Sequence, residues 1–217
     1  MNRPDYDVII VGAGPAGIFA ALELTSAAQP RVLMLDKGPD LEKRRCPSRE
    51  KGRCMKCATC ALMTGWGGSG AFSDGKLTLT TQVGGLLADI RGTAEAEQLV
   101  REVDALWVHY GADNEPYEGD IDQIEDLARR GALVGLRLQH YPIRHLGTER
   151  SGDILGAMHQ ELVARGVEVR TRTDVRQILT TGGAVTGVET ARGEVLTAPH
   201  VVVAPGREGA DWLTGWA

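Results

Sequence analysis

Two groups of residues in this chain have the types and spacing that chemistry needs. The first is Gly12-Ala-Gly14-Pro15-Ala16-Gly17, with Asp36 nineteen positions further on and Lys37 beside it. In a turn between a strand and a helix, Gly12 permits the tight bend. Gly14 lets a pyrophosphate approach the backbone, and Gly17 lets the helix pack close on the strand. Pro15 and Ala16 open the helix, and its free N–H groups, from Ala16 onward since proline has none, then face the phosphates together with the positive dipole end. A carboxylate at position 36 accepts hydrogen bonds from ribose hydroxyls and repels a 2′-phosphate. The chemistry is dinucleotide binding.

The second group is Cys46, Cys54, Cys57 and Cys60, read as C-P-x6-C-x2-C-x2-C. Two overlapping C-x2-C steps put three thiols in one short loop, with the fourth upstream. That pattern suits a tetrathiolate centre, either zinc or an iron–sulfur cluster. The order resembles a bacterial ferredoxin run with its Cys-Pro step moved to the front. Lys43, Arg44, Arg45, Lys51, Arg53 and Lys56 would stabilise thiolates and offset the negative charge of such a centre. A thiol–disulfide role and inert reduced cysteines are the competing readings.

Two weaker candidates follow. Trp66-Gly67-Gly68-Ser69-Gly70 can offer several backbone N–H donors to an anion or a flavin edge, with Ser69 adding a hydroxyl. Asp74 and Lys76 close that loop. Arg144-His145 is the other, with His145 as a candidate proton donor or acceptor. No nucleophile elbow, zincin helix or phosphate-binding lysine loop is present, so hydrolase and kinase readings have no support.

The elements that must position these residues are readable in order. Val8–Val11 is an uninterrupted apolar run, as a buried parallel strand requires. A helix follows, then a second strand, Arg31–Leu35, ending at Asp36. The pattern Leu87, Ile90, Leu99, Val103, Leu106 predicts one or two amphipathic helices over 86–110, and another is expected over 121–130, stopped by Gly131. A strand is expected over 133–141. A helix from an N-cap Ser151 to Arg165 comes next, with Gly166 as its stop. Val167–Arg170, three strands between Val175 and Thr197, and His200–Ala204 complete the set. The middle three form an antiparallel meander.

These elements give an α/β chain with a Rossmann-like FAD/NAD(P)-binding fold: parallel sheet, helices and antiparallel meander. The expected division is a discontinuous nucleotide-binding domain, 1–40 with 151–217, and an insertion, 41–150, carrying the cysteines, the glycine-rich loop and helices. A net charge of -5 without basic blocks argues against a nucleic-acid surface. No apolar run is long enough to span a membrane, and Asp5 and Asp7 spoil the N-terminus as a signal peptide. The expected location is cytoplasmic.

The quoted residues also carry a resemblance. Gly12 to Gly17 with Asp36-Lys37-Gly38 resembles the start of the glutathione-reductase-like flavoproteins. The cysteine run, G-W-G-G-S-G-A-F-S-D-G-K-L, R-H-L-G-T-E and V-V-V-A-P-G-R-E-G-A together resemble the uncharacterised FAD-dependent dehydrogenases of bacteria and archaea. The resemblance implies FAD as cofactor, with Gly12, Gly14 and Gly17 at the pyrophosphate and Asp36 at the adenosine ribose. It also implies Val175 bordering the adenine, Ala204 and Gly206 at a strand exit beside the cofactor, and Gly67, Gly68 and Ser69 on the flavin side. Members of that group are much longer, so truncation at the C-terminus is expected, with the rest of the substrate domain missing.

The function expected is an FAD-dependent oxidoreductase in which a cysteine-ligated centre relays electrons. NAD(P)H is a candidate donor, and the substrate or electron carrier is a small molecule not identified by sequence. An NAD-binding Rossmann oxidoreductase and a non-catalytic metal-binding module are the alternatives.

Overall fold

A computed structural model describes residues 3–73, 75–147 and 150–215, apart from the Arg49 side chain. The chain divides into two compact units, one from residues 1–72 with 155–217 and the other from Ser73–Ile154. Residues 41–72, which the sequence reading placed in the insertion, cluster with the first unit.

In the first unit, β1 (Val8–Val11), α1 (Pro15–Leu24) and β2 (Val32–Leu35) form the expected β-α-β start. The chain then passes through a 3-10 turn (Leu41–Lys43), a one-turn helix α2 (Ser48–Lys51) and a second 3-10 turn (Gly68–Phe72). The second unit contains β3 (Lys76–Thr78), α3 (Leu87–Arg91), α4 (Thr93–His109), α5 (Ile121–Ala132) and β4 (Ile143–His145). Helix α6 (Arg150–Ala164) carries the chain back into the first unit. There β5 (Glu168–Arg170), β6 (Val175–Thr181), β7 (Ala184–Thr190), β8 (Val195–Thr197) and β9 (His200–Val203) follow, and α7 (Ala210–Thr214) ends the described chain.

The main sheet has order β5-β2-β1-β9 and is parallel throughout. β1 and β2 are buried at every position, which explains why neither shows apolar–polar alternation. The residues of each strand alternate between the two faces. On one face Ile9, Val11, Leu33 and Leu35 form a core with Val175, Val188, Leu196 and Ala198 from the antiparallel β6-β7-β8 meander and its exit. On the other, Ile10 faces Gly17 of α1 so closely that an added Cβ there would lie 3.3 Å from its Cγ2.

Two local expectations fail. Residues 133–141 form no strand. Leu133, Val134 and Leu136 are strongly exposed, Gly135 takes a positive φ of 76°, and no described strand pairs with the segment. An apolar run without a partner has nothing to satisfy a ladder of N–H and C=O groups. The strand in this region is the three-residue β4 beyond Pro142. Ser151 also does not cap α6: it lies inside the helix and its hydroxyl donates to the Gly147 carbonyl at 2.8 Å.

Candidate cofactor site

The carboxyl ends of β1, β2 and β9 converge, which in an open α/β sheet is where ligands bind. Gly12 N–H donates to Leu35 O at 2.7 Å and Ala204 N–H to Val11 O at 2.8 Å, so the three strand exits are tied together. A cleft of ≈ 370 Å³ opens there. Its walls come from the strand ends and glycine turn (Val11, Gly12, Gly14, Pro15, Asp36, Lys37), from Met63, Thr64, Gly68 and Ser69, from Thr173 to Arg176, and from Ala204 to Arg207 with Trp212.

Glycine is required at two turn positions by the protein itself. A Cβ on Gly12 would lie 2.1 Å from Ala204 O, and one on Gly17 would lie 1.9 Å from Gly12 O. Gly14 is different: its nearest neighbour would be Gly68 Cα at an ordinary 3.7 Å. Packing therefore does not exclude a side chain at Gly14, and the space belongs to the cleft. Gly14 is also the N-cap of α1, no side chain caps it, and Pro15 opens the helix. The first-turn N–H groups thus lack intrahelical partners at a cleft wall, as an anion site requires.

Asp36 is buried, and both carboxylate oxygens are engaged. Oδ2 accepts from Ala13 N–H at 2.8 Å; Oδ1 accepts from Gly38 N–H and Gly65 N–H, both at 2.7 Å. The sequence reading reserved this acid for a ribose. In the structure it first organises the glycine turn at Ala13 and the glycine-rich loop. A carboxylate offers about four lone-pair sites, so one acceptor position is left on a residue that lines the cleft.

The glycine-rich loop rests directly on the turn after β1. Gly67 N–H donates to Ala13 O at 2.8 Å, and Trp66 N–H to Pro39 O at 3.3 Å. The Trp66 ring is fully buried, its Nε1–H donating to Leu155 O at 2.8 Å, with the His159 ring edge-on at 4.6 Å. Gly68 and Ser69 reach the cleft, whereas Gly67 is turned against Leu155.

Sequence reasoning passed over Arg44 except as a cation near the thiols. It is buried, with donors to Ala61 O at 2.9 Å, Leu62 O at 2.9 Å and Trp66 O at 2.6 Å, and its guanidinium stacks 4.6 Å from the Phe72 ring centroid. Burial pushes it down to about 10, against the pull of Asp36 and Cys60, so it is still charged at neutral pH. One Arg among the basic residues 43–45 gives no sequence signal for such a role.

Of the other candidates, Val175, Lys37, Ala204 and Gly206 line the cleft, while Ala16 and Gly17 do not. Cys54 and Cys57 are exposed, Cys46 and Cys60 half-buried, and none forms a disulfide. Among the described residues no three His, Cys, Asp or Glu side chains are arranged to hold a metal ion. His145 lies in the second unit, exposed on β4 opposite Lys76. Its neighbour Arg144 is buried and ion-paired with Asp104, which holds the guanidinium above its ordinary range. Asp74, Thr148 and Glu149 fall outside the described residues.

A family model described as an FAD binding domain matches residues 5–210. The chain belongs to that FAD-binding family. Solved structures similar to this FAD-binding domain include glycine oxidase from Bacillus cereus, at 17% identity and a TM-score of 0.55, covering 97% of this chain and 58% of that one. A 3-ketosteroid-delta4-(5alpha)-dehydrogenase from Rhodococcus jostii matches at 16% identity and a TM-score of 0.55, covering 94% and 46%. L-amino acid deaminase from Proteus vulgaris matches at 16% identity and a TM-score of 0.53, covering 94% and 48%. The likeness is one of fold, and the chain spans about half the length of these structures. No curated protein matches the sequence. Among the described residues, no helix is long and apolar enough to cross a membrane.

Proposed function

We propose that this chain is the cofactor-holding part of an FAD-dependent oxidoreductase. The observation that carries the reading is the cleft itself. It joins an uncapped helix N-terminus, a glycine whose missing side chain the protein does not need, and a buried acid at the ends of three parallel strands. Bound FAD supplies hydride or single-electron transfer chemistry. The protein's own residues do the holding.

In this reading the first-turn N–H groups of α1 and the open face of Gly14 receive the pyrophosphate. The remaining acceptor position of Asp36 takes a ribose hydroxyl. Val175 and its neighbours on β6 border the adenine, and Gly68 and Ser69 lie on the flavin side. The likeness in fold to oxidases and dehydrogenases supports redox chemistry without naming a substrate.

Equilibrating the purified chain with FAD, desalting it and recording its visible spectrum tests the proposal. Stoichiometric retained flavin absorbance is expected, and flavin lost quantitatively to the small-molecule fraction refutes it. Retention of NADH in place of FAD would assign the cleft to a nicotinamide dinucleotide.

A further inference from the structure

We infer that Cys57 and Cys60 form a thiol–disulfide site whose state sets the affinity of the cofactor cleft. This inference rests on the FAD reading for its ligand, and on the following contacts for its mechanism. Cys60 occupies the start of the turn that delivers two cleft residues. Its carbonyl accepts from Met63 N–H and Thr64 N–H, both at 2.9 Å, and from Thr64 Oγ1 at 2.9 Å. Met63 and Thr64 line the cleft, and the next residue, Gly65, is the one bound to Asp36. One peptide group therefore holds a cleft wall in place.

Downstream the same wall is fixed. Arg44 grips the carbonyls of Ala61, Leu62 and Trp66, and the indole of Trp66 is pinned to Leu155. Upstream it is not: residues 51–59 are exposed, and the chain bends at Ala58-Thr59 between the two cysteines. Movement imposed on the 57–60 segment is therefore passed to the Cys60 peptide. Its hydrogen bonds are the first to yield.

The two thiols differ in access as a relay requires. Cys57 is exposed and Cys60 half-buried. The Cys57 sulfur, as thiolate, attacks a low-molecular-weight disulfide, forming a mixed disulfide and releasing one thiolate. The Cys60 sulfur then attacks the Cys57 sulfur and releases the second. Two protein thiols become one protein disulfide, the incoming disulfide is reduced to two thiols, and the two protein protons end on those thiols. The bridge needs its Cα atoms within about 7 Å and its Cβ atoms within about 4.5 Å. Closing the bridge locks the 57–60 segment, and in this proposal it turns the Cys60 carbonyl away from Met63 and Thr64, so that the wall loosens.

The test uses the whole chain, reduced with dithiothreitol or equilibrated with oxidised glutathione. Peptide mass mapping identifies any bridge, and flavin fluorescence gives the FAD affinity of each form. A Cys57–Cys60 disulfide with an affinity about tenfold weaker, restored by dithiothreitol, is expected from the loss of one net hydrogen bond at the wall. C57S keeps the reduced affinity and loses the redox response, while C46S and C54S keep both. Hydrogen exchange at Met63, Thr64 and Trp66, faster in the oxidised form, reads the same change without cofactor. If neither form binds FAD, the cofactor reading falls and the exchange data still decide the switch. A bridge between other cysteines, or a Cys57–Cys60 bridge that leaves these amides unchanged, overturns it.

Discussion

Oδ1 of Asp36 accepts the N–H of Gly65 at 2.7 Å, across 29 positions of sequence. The end of the second strand thereby holds the glycine-rich loop, and through Oδ2 it also holds the glycine turn at Ala13. Asp36→Ala strips acceptors from three backbone N–H groups, two of them from other segments. At about 1 kcal/mol each, the loss of stability is about 3 kcal/mol. Asp36→Asn recovers part of it, since an amide oxygen accepts but its NH2 faces donors. Urea unfolding of the cofactor-free chain measures both, and a midpoint unchanged by Asp36→Ala would show that these bonds do not hold the loop.

The glycines of the turn divide by the atoms they face. Gly12→Ala forces a Cβ to 2.1 Å from the Ala204 oxygen at a φ of 108°, and a cost of about 3 kcal/mol or more is expected. Gly14→Ala meets only ordinary contact, so stability is preserved while FAD affinity falls about tenfold or more. Thermal unfolding paired with flavin binding separates the two. Equal damage to stability from both substitutions would contradict the assignment of the Gly14 space to the cleft.

Arg44→Met leaves three carbonyls without their donor and removes the charge that stacks on Phe72. A loss of about 3 kcal/mol is expected. Arg44→Lys recovers little, because an ammonium cannot reproduce the planar fork that reaches three separated oxygens. Limited proteolysis after the basic residues of 45–56 reports the same change as faster cleavage.

At the edge of the parallel sheet the Tyr6 hydroxyl donates to Glu168 and accepts from Arg170. Burial first, and then the bond to Glu168, raise its ionisation from 10.0 to about 12. The folded chain therefore keeps a proton that the unfolded chain loses. The stabilisation is complete below pH 10 and disappears as pH rises through about 12. Tyr6→Phe flattens the fall in stability over that window, which denaturant titrations at stepped pH read directly.

The sequence disclosed most of what repeats and little of what folds back. β1, the glycine turn, β2 and the meander were legible because burial on both faces and period-two alternation leave direct traces in residue order. The segment 133–141 was misread because its apolar run has strand composition but no partner strand. Arg44 and the double duty of Asp36 were invisible, since their partners are main-chain atoms of distant segments, and a backbone N–H or C=O has no residue signature. For the cysteines, spacing suggested a tetrathiolate centre that no described side chains are arranged to form, and it said nothing of the Cys60 carbonyl that holds Met63 and Thr64.

One further pair bears on how the cleft behaves in solution. Lys37, on the β2 side of the cleft, lies 3.6 Å from Glu208, in the turn after β9, with both side chains partly exposed to water. Salt weakens such a contact, with a screening length of about 8 Å at physiological ionic strength. The two walls are thus tethered by an attraction that the medium controls. Flavin exchange, followed by stopped-flow at rising potassium chloride, should quicken, and Glu208→Gln should make it fast and indifferent to salt. The ionic composition around the protein then becomes a dial on cofactor residence time.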